Sequence, residues 1–253
     1  MATPSRRRLR LICGLAYGLS VFVACPFLSP HRIRGIRRTA EEGIGPSQLR
    51  ILAAAEDLFA ASGYEGTSIR QIEAGVPVAL VSYHFGGKLG VYRRVFESHA
   101  PTIVAERRAG LALAELEQDR ERRLAAIVKA VLVPMLKLRT SEGRQSLGRL
   151  LAREVSDPRS IERGIIKDLL DPIAAAVTDL LQKTLPNRSE AEIHWAYQMM
   201  VGTMTFIMAD AGRIRRISSG ACDPEDVDAT IQHVIPLILC GLRNGQAMKT
   251  DKP

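Results

Sequence analysis

The sequence predicts an all-α protein of about nine helices, a small N-terminal domain followed by a larger C-terminal one. Three observations carry that prediction. Apolar residues recur at spacings of three and four along the chain from residue 47 onward, with no strand-like alternation and no internal repeat. The composition is rich in Ala, Leu, Ile, Arg and Glu, while aromatics make up only 5% of the 253 residues, a mix that favours helix. The length exceeds the usual single-domain size.

Ser47, after Pro46, opens the first helix, whose apolar positions are Ile51, Leu52, Ala55, Leu58 and Phe59, and Gly63 closes it. Thr67 caps a second, short helix over Ile69 to Ala74, stopped by Gly75. A third runs from about Val78 to His84 and breaks at Gly86-Gly87. From Lys88 a longer helix carries Val91, Tyr92, Val95 and Phe96 on one side, and Pro101 should kink or interrupt it. The Ala- and Glu-rich stretch from Gly110 to Asp119 has a weaker pattern.

Leu124, Ile127, Val128, Val131, Leu132 and Met135 form the next apolar stripe, with Pro134 as a bend. Leu147, Leu150, Leu151 and Val155 form a shorter one, ended by Asp157-Pro158. A long helix is expected over Ile161 to Leu185. Ser189 and Glu192 form a capping box, in which the serine oxygen takes an orphan backbone N–H and the glutamate reaches back to the cap. Asp223-Pro224-Glu225-Asp226 opens the last helix, with acids at the positive end of its dipole.

The net charge of +8 is a property of the leading segment. Arg6, Arg7, Arg8, Arg10, Arg32, Arg34, Arg37 and Arg38 all precede the first acid, Glu41, and without those eight the 35 basic residues match the 27 acidic ones. Residues 6–28 have a basic start and then an uncharged run through LICGLAYGLSVFVACPFL, the layout of a signal peptide or anchor, with Cys25 in a lipoprotein-like box. The downstream sequence favours instead an extension ahead of the true start. HRIRGIRR, residues 31–38, reads either as a basic arm for phosphates or as a solvated charge run. Cys13, Cys25, Cys222 and Cys240 lie far apart, so neither a zinc site nor a disulfide framework is expected, and Cys240 reads as a small core residue.

The informative segment is RILAAAEDLFAASGYEGTSIRQIEAGVPVALVSYHFGGKLGVYRRVF, residues 50–96. Its AxxLFAxxGYxxTS ending of the first helix, its Gly75-Val76 turn and its YHFxxK run of Tyr83, His84, Phe85 and Lys88 resemble the N-terminal domain of the TetR/AcrR regulators. The resemblance covers this fifth of the chain strongly and the rest in helical outline. It implies a ligand-responsive DNA-binding regulator, a repressor on a palindromic operator, that acts as a cytoplasmic homodimer.

The physics of the segment agrees. A helix-turn-helix buries Ile69, Ile72 and Val76 against Leu58, Phe59 and Val81, and leaves Val78, Ala79, Ser82 and Tyr83 for the major groove of double-stranded operator DNA. Thr67 or Ser68 offers hydroxyl and N–H donors to phosphates, and Arg70 joins them if it points at the groove. Tyr83, His84 and Lys88 match backbone-contacting positions of the family; against that, Tyr83 can pack and His84 can cap, while Phe85 reads as core. Two features depart from the family's pattern: the second helix is shorter by two residues, and Ser82 and Leu89 stand where many members carry tyrosine and glutamate.

By the same resemblance residues 101–245 enclose an effector pocket and dimerise through residues 189–243. Glu154, Trp195, Gln198 and Met199 are the pocket candidates, and an apolar lining implies a mostly apolar small-molecule effector. Methionines at 199, 200, 204 and 208 suit an adaptable lining but more often mark plain core. The expected organisation is an extension over 1–45, a DNA-binding domain over 46–100, an effector and dimerisation domain over 101–245 and a tail over 246–253. The five histidines show no catalytic or metal-ligating arrangement, so no enzyme activity, metal or cofactor is expected. The competing reading is a membrane-tethered or lipoprotein helical protein anchored by residues 9–28, with DNA binding weakened by the shortened second helix.

Overall fold

The computed structural model describes residues 45–72, 77–141 and 143–244. The basic arm, the apolar run and the expected 246–253 tail lie outside them, as do Gly75 and Val76. Among the described residues there is no strand, and none of the helices is long and apolar enough to cross a membrane.

Helix α1 (Pro46–Ser62) begins where the Gly45 N–H meets Gln48 Oε1 at 2.9 Å. It buries Ile51, Leu52, Ala55, Phe59 and Ala60, and it stops at Gly63, whose N–H bonds to the Phe59 carbonyl at 2.8 Å. Of the second helix expected over Ile69 to Ala74, the described residues form a 3-10 turn, Ile69–Ile72, and Glu73 and Ala74 lie outside them. Ser68 starts it: its N–H and hydroxyl both donate to Gln71 Oε1, at 2.7 and 2.9 Å. A 3-10 run seldom exceeds three or four residues, because its hydrogen bonds are poorly aligned.

Helix α2 (Val78–Phe85) ends at Gly86, in the left-handed conformation with φ of 71°. Helix α3 (Lys88–Leu116) follows directly and runs through Pro101 without a break. The expected interruption fails because Phe96, Ala100 and Ile103 are buried on both sides of the exposed proline, enough apolar area to offset the ~3 kcal/mol that a proline costs inside a helix. The boundary expected at residue 100 therefore falls inside one continuous helix.

Helix α4 (Arg120–Leu136) packs antiparallel along α3 and is capped by Asp119, which accepts the Arg122 N–H at 2.8 Å. Helix α5 (Gln145–Ser156) crosses back to α1. The single helix expected over 161–185 is three: α6 (Ser160–Arg163), α7 (Ile165–Leu169) and α8 (Asp171–Thr184). Gly164, at φ 65°, ends the first, and Pro172 in the first turn of α8 forces a new start because it has no N–H to continue the old one.

The capping box opens α9 (Glu190–Ala209) as expected, with the Ser189 N–H on Glu192 Oε2 at 2.8 Å. That helix stops earlier than its apolar pattern suggests. Asp210 accepts the backbone N–H groups of Gly212, Arg213 and Ile214 and starts α10 (Arg213–Ile217). Helix α11 (Val227–Asn244) begins three residues after Pro224, with Asp226 accepting the Ala229 N–H at 2.9 Å. The described residues thus contain eleven α-helices rather than nine, and one continuous core joins all the longer ones.

Candidate functional site

The described residues of α1, the 3-10 turn and α2 pack together through apolar side chains visible in the sequence. Ile72 and Val81 are wholly buried against Phe59, which leaves the other side of α2 free. Ala79, Ser82, Tyr83 and His84 are exposed there, Tyr83 at 81%, and Val78 is half-buried at the helix start. Ser68 and Arg70 are exposed on the adjoining turn. Phe85, expected in the core, is half-buried at its edge.

Four of the expected contact groups are already engaged in this structure, Ser68 among them through its two bonds to Gln71. Thr67 is buried at 2% exposure, and its hydroxyl donates to the Gly63 carbonyl at 2.9 Å and lies 3.3 Å from that of Leu58. That corrects the phosphate-donor expectation: the hydroxyl closes the loop after α1, and Ser68 is the residue left outside. His84 Nδ1 lies 3.2 Å from Gln48 Nε2, which ties α2 to the start of α1. Lys88 Nζ sits 4.3 Å from the centre of the Tyr64 ring.

The turn that aims α2 depends on glycine. Gly86 and Gly87 both have positive φ, 71° and 110°, which side-chain-bearing residues adopt at a cost. Gly90 is tighter still, for a Cβ there would fall 1.6 Å from the Phe85 carbonyl oxygen.

Behind the head, a buried polar network links α3 to α5 and α6. Glu154 is fully buried; it accepts the Tyr92 hydroxyl at 2.7 Å, the Ser160 hydroxyl at 2.9 Å and Arg163 Nε at 3.0 and 3.1 Å. Arg163 Nη2 reaches both Glu154 at 2.8 Å and Asp157 at 2.6 Å. Burial and the bond to Glu154 push the Tyr92 hydroxyl far above the usual tyrosine pKa. Burial alone would lower the Arg163 pKa, but the bonds to Glu154 and then Asp157 outweigh it and raise it. The Tyr92 ring packs edge-on against Phe59 and Tyr64, at 4.7 and 4.8 Å. Three surface bonds run parallel: Ser146 to Asp57 at 2.6 Å, Arg153 to the Ala61 carbonyl at 3.0 Å and Arg159 to Glu65 at 2.8 Å.

The four expected pocket residues do not converge. Glu154 is consumed by the network above, and its donors leave it no place for a ligand. Trp195 and Met199 are 65% and 59% exposed, one turn apart on the outer side of α9, where they line an open groove of about 520 Å³ against α11. Gln198 lines a different cavity of about 270 Å³ between α3, α5, α8 and α9, together with Met204 and Met208. Cys240, expected in the core, is exposed on the outer side of α11.

Two family models match the chain. One, described as bacterial regulatory proteins of the tetR family, matches residues 51–95, and the other, a tetracyclin repressor-like C-terminal domain, matches residues 129–241. The chain belongs to the TetR family. Its fold is shared by solved TetR-type structures of low identity. The fatty acid degradation regulator FadR from Bacillus halodurans is 21% identical, with a TM-score of 0.56 over 79% of this chain and 97% of that one. FadR from Bacillus subtilis, solved in complex with stearoyl-CoA, is 16% identical, with a TM-score of 0.54 over 78% and 98%. A TetR-family regulator from Bordetella parapertussis 12822 is 17% identical, with a TM-score of 0.54 over 79% and 95%. No curated protein gives a significant match.

Within this TetR-family chain, sequence reasoning missed Arg107. It is only 5% exposed and lines the 270 Å³ cavity. Its position on α3, in register with buried Ile103 and Leu111 at four-residue steps, was the available signal.

Proposed function

We propose that this TetR-family regulator is a cytoplasmic repressor that binds a palindromic operator as a homodimer and releases it when a small molecule occupies the C-terminal body. The observation that carries the reading is the outer side of α2: Ala79, Ser82 and Tyr83 are exposed together on a short helix whose opposite side is locked by wholly buried Val81. Such a helix enters a major groove without rearranging. Ala79 and Val78 can touch only thymine methyls and Ser82 reads bases without much preference, so part of the specificity comes from DNA shape. Arg70 and Tyr83 supply phosphate contacts, and Ser68, His84 and Lys88 join once released from Gln71, Gln48 and Tyr64.

Dimerisation through α9 and α11 is supported by an apolar strip that a single chain leaves exposed. Trp195, Met199, Phe206 and Leu237 are each 59–69% exposed and share these two helices, and a four-helix interface would bury them. The 520 Å³ groove would then take side chains from the partner. Signalling from body to head runs through α3, which carries Lys88 at one end and the cavity residue Arg107 beyond its midpoint, and through the Tyr92–Glu154–Arg163 network.

Selection of bound fragments from random duplex DNA tests this reading. The expected product is an inverted repeat whose half-sites lie about one helical turn, 34–36 Å, apart. Recovery of no enriched sequence would refute it.

A further inference from the structure

Among the described residues three charged side chains are buried: Arg107, Glu154 and Arg163. Glu154 and Arg163 neutralise each other. Arg107 has no carboxylate. Its Nη2 donates to the Val131 carbonyl at 3.1 Å and approaches Met204 Sδ at 3.7 Å, and its buried Nε has no acceptor at all. A guanidinium kept out of water without a counter-charge is strongly unfavourable, and burial pulls its pKa below the usual arginine value. Leucine or methionine would fill the same place between α3, α4 and α9 at far lower cost.

The cavity it lines, about 270 Å³, is otherwise walled mainly by apolar side chains, including Met135, Leu151, Val201, Met204 and Met208. Tyr197 lines it too, near enough to Arg107 for the guanidinium to oppose the rise that burial imposes on the tyrosine pKa. Arg107 is the cavity's single cation, and Asp171 stands exposed at its rim. One buried positive charge suits a monoanion. A phosphate dianion would lack a second cation.

We propose, resting on the reading of the body as an effector domain, that this cavity binds a small amphipathic carboxylic acid, with its carboxylate on Arg107 and its apolar body among the methionines. The guanidinium fork matches a carboxylate with two parallel donors, and methionine side chains adapt to an irregular tail. The volume falls just below the usual range of ligand cavities, about 300–1,000 Å³, which suits a small medium-chain or aryl acid. The anchor sits on α3 about 28 Å along the helix from Lys88, at 1.5 Å per residue. A carboxylate that draws Arg107 off the Val131 carbonyl therefore acts on the same helix that sets the height of α2.

Isothermal titration calorimetry on the full chain tests the proposal with octanoate, phenylacetate, their neutral amides and octanoyl-CoA. At least one acid is expected to bind about tenfold or more tightly than its amide, the factor a charge-assisted pair supplies. Arg107→Met should abolish that preference and Arg107→Lys should keep part of it, with circular dichroism confirming that both fold. Equal binding of acid and amide would overturn the carboxylate assignment while leaving an effector pocket, as would binding of octanoyl-CoA alone. No saturable binding of either acid at millimolar concentration would overturn it too. DNA binding, measured separately, is unaffected by any of these failures. The acid-to-amide comparison in the unmodified chain stands even if the Arg107 variants do not fold.

Discussion

Removing the Glu154 carboxylate should cost this protein a large part of its stability. In Glu154→Ala, Arg163, only 7% exposed, keeps Asp157 but loses its buried partner, and the hydroxyl of Tyr92, 1% exposed, loses its only acceptor. Breaking a buried pair by deleting one partner costs about 3–5 kcal/mol. The surviving Asp157 contact places the expected loss in the lower half of that range, about 3–4 kcal/mol. At roughly 2–4 °C per kcal/mol for a chain of this size, the melting temperature should fall by about 6–16 °C. Glu154→Gln keeps the shape and can still accept from Tyr92, so its loss should be smaller, about 1.5–3 kcal/mol. Urea unfolding at fixed protomer concentration, followed by circular dichroism, measures both. A loss below about 1 kcal/mol for Glu154→Ala would refute the network as a structural link between α3 and α5, because no other buried group could take up the stranded arginine. A double-mutant cycle with Tyr92→Phe should show a coupling of about 0.5 kcal/mol or more, as for other residues in one network.

Four further outcomes are expected. Gly90→Ala should displace α2 through its clash with the Phe85 carbonyl and cost about 1–3 kcal/mol, with operator affinity falling further than stability; an unchanged gel-shift titration would count against the placement of α2. Arg70→Ala should lower the slope of log affinity against log salt by about 1 if it touches a phosphate, and a slope unchanged across a salt series excludes that contact. Phe206→Glu, with a charge in the exposed α9 strip, should give a folded monomer by light scattering, whereas a persistent dimer would move the interface elsewhere. The Glu192 carboxyl is held below its usual pKa by the Ser189 N–H, then by the Ser189 hydroxyl and Arg188. Its stabilising contribution is therefore complete above the ordinary glutamate range and disappears as pH falls through the lowered value, which an NMR titration of the Ser189 amide would register; loss on raising the pH would contradict the sign.

Local rules made much of the fold legible. The Ser189 box, the Gly63 and Gly86 stops and the apolar spacing of α1, α4 and α5 each follow from bonds made within a few residues, and each stands where the pattern placed it. The exposed side of α2 was legible for the same reason, since buried Val81 dictates which positions face out. The misses involve distant partners. Nothing near Glu154 in sequence announces Tyr92, which lies 62 residues away and joins Ser160 and Arg163 in occupying its carboxylate. Trp195 and Met199 looked like pocket lining because α9 is apolar nearly all round, and only its packing on α5, α4 and α8 decides which side turns outward. Arg107 carries an ordinary surface residue type on a helix whose buried side is set chiefly by α4 and α1. The splitting of 161–185 reflects a glycine and a proline whose weight against a strong apolar pattern depends on tertiary packing.

The account depends most on α2 being a reading head, and one titration tests that directly. Fluorescence anisotropy of a selected duplex should show saturable binding by the native protein that weakens steeply between 50 and 200 mM salt, by about 10³-fold for roughly six phosphate contacts. Ser82→Glu, which sets a negative charge on the exposed side of α2 without touching its buried side, should abolish that binding and leave the melting temperature unchanged. Binding of the duplex by Ser82→Glu as tightly as by the native chain would contradict the account, because the groove would then be entered by some other part of the molecule.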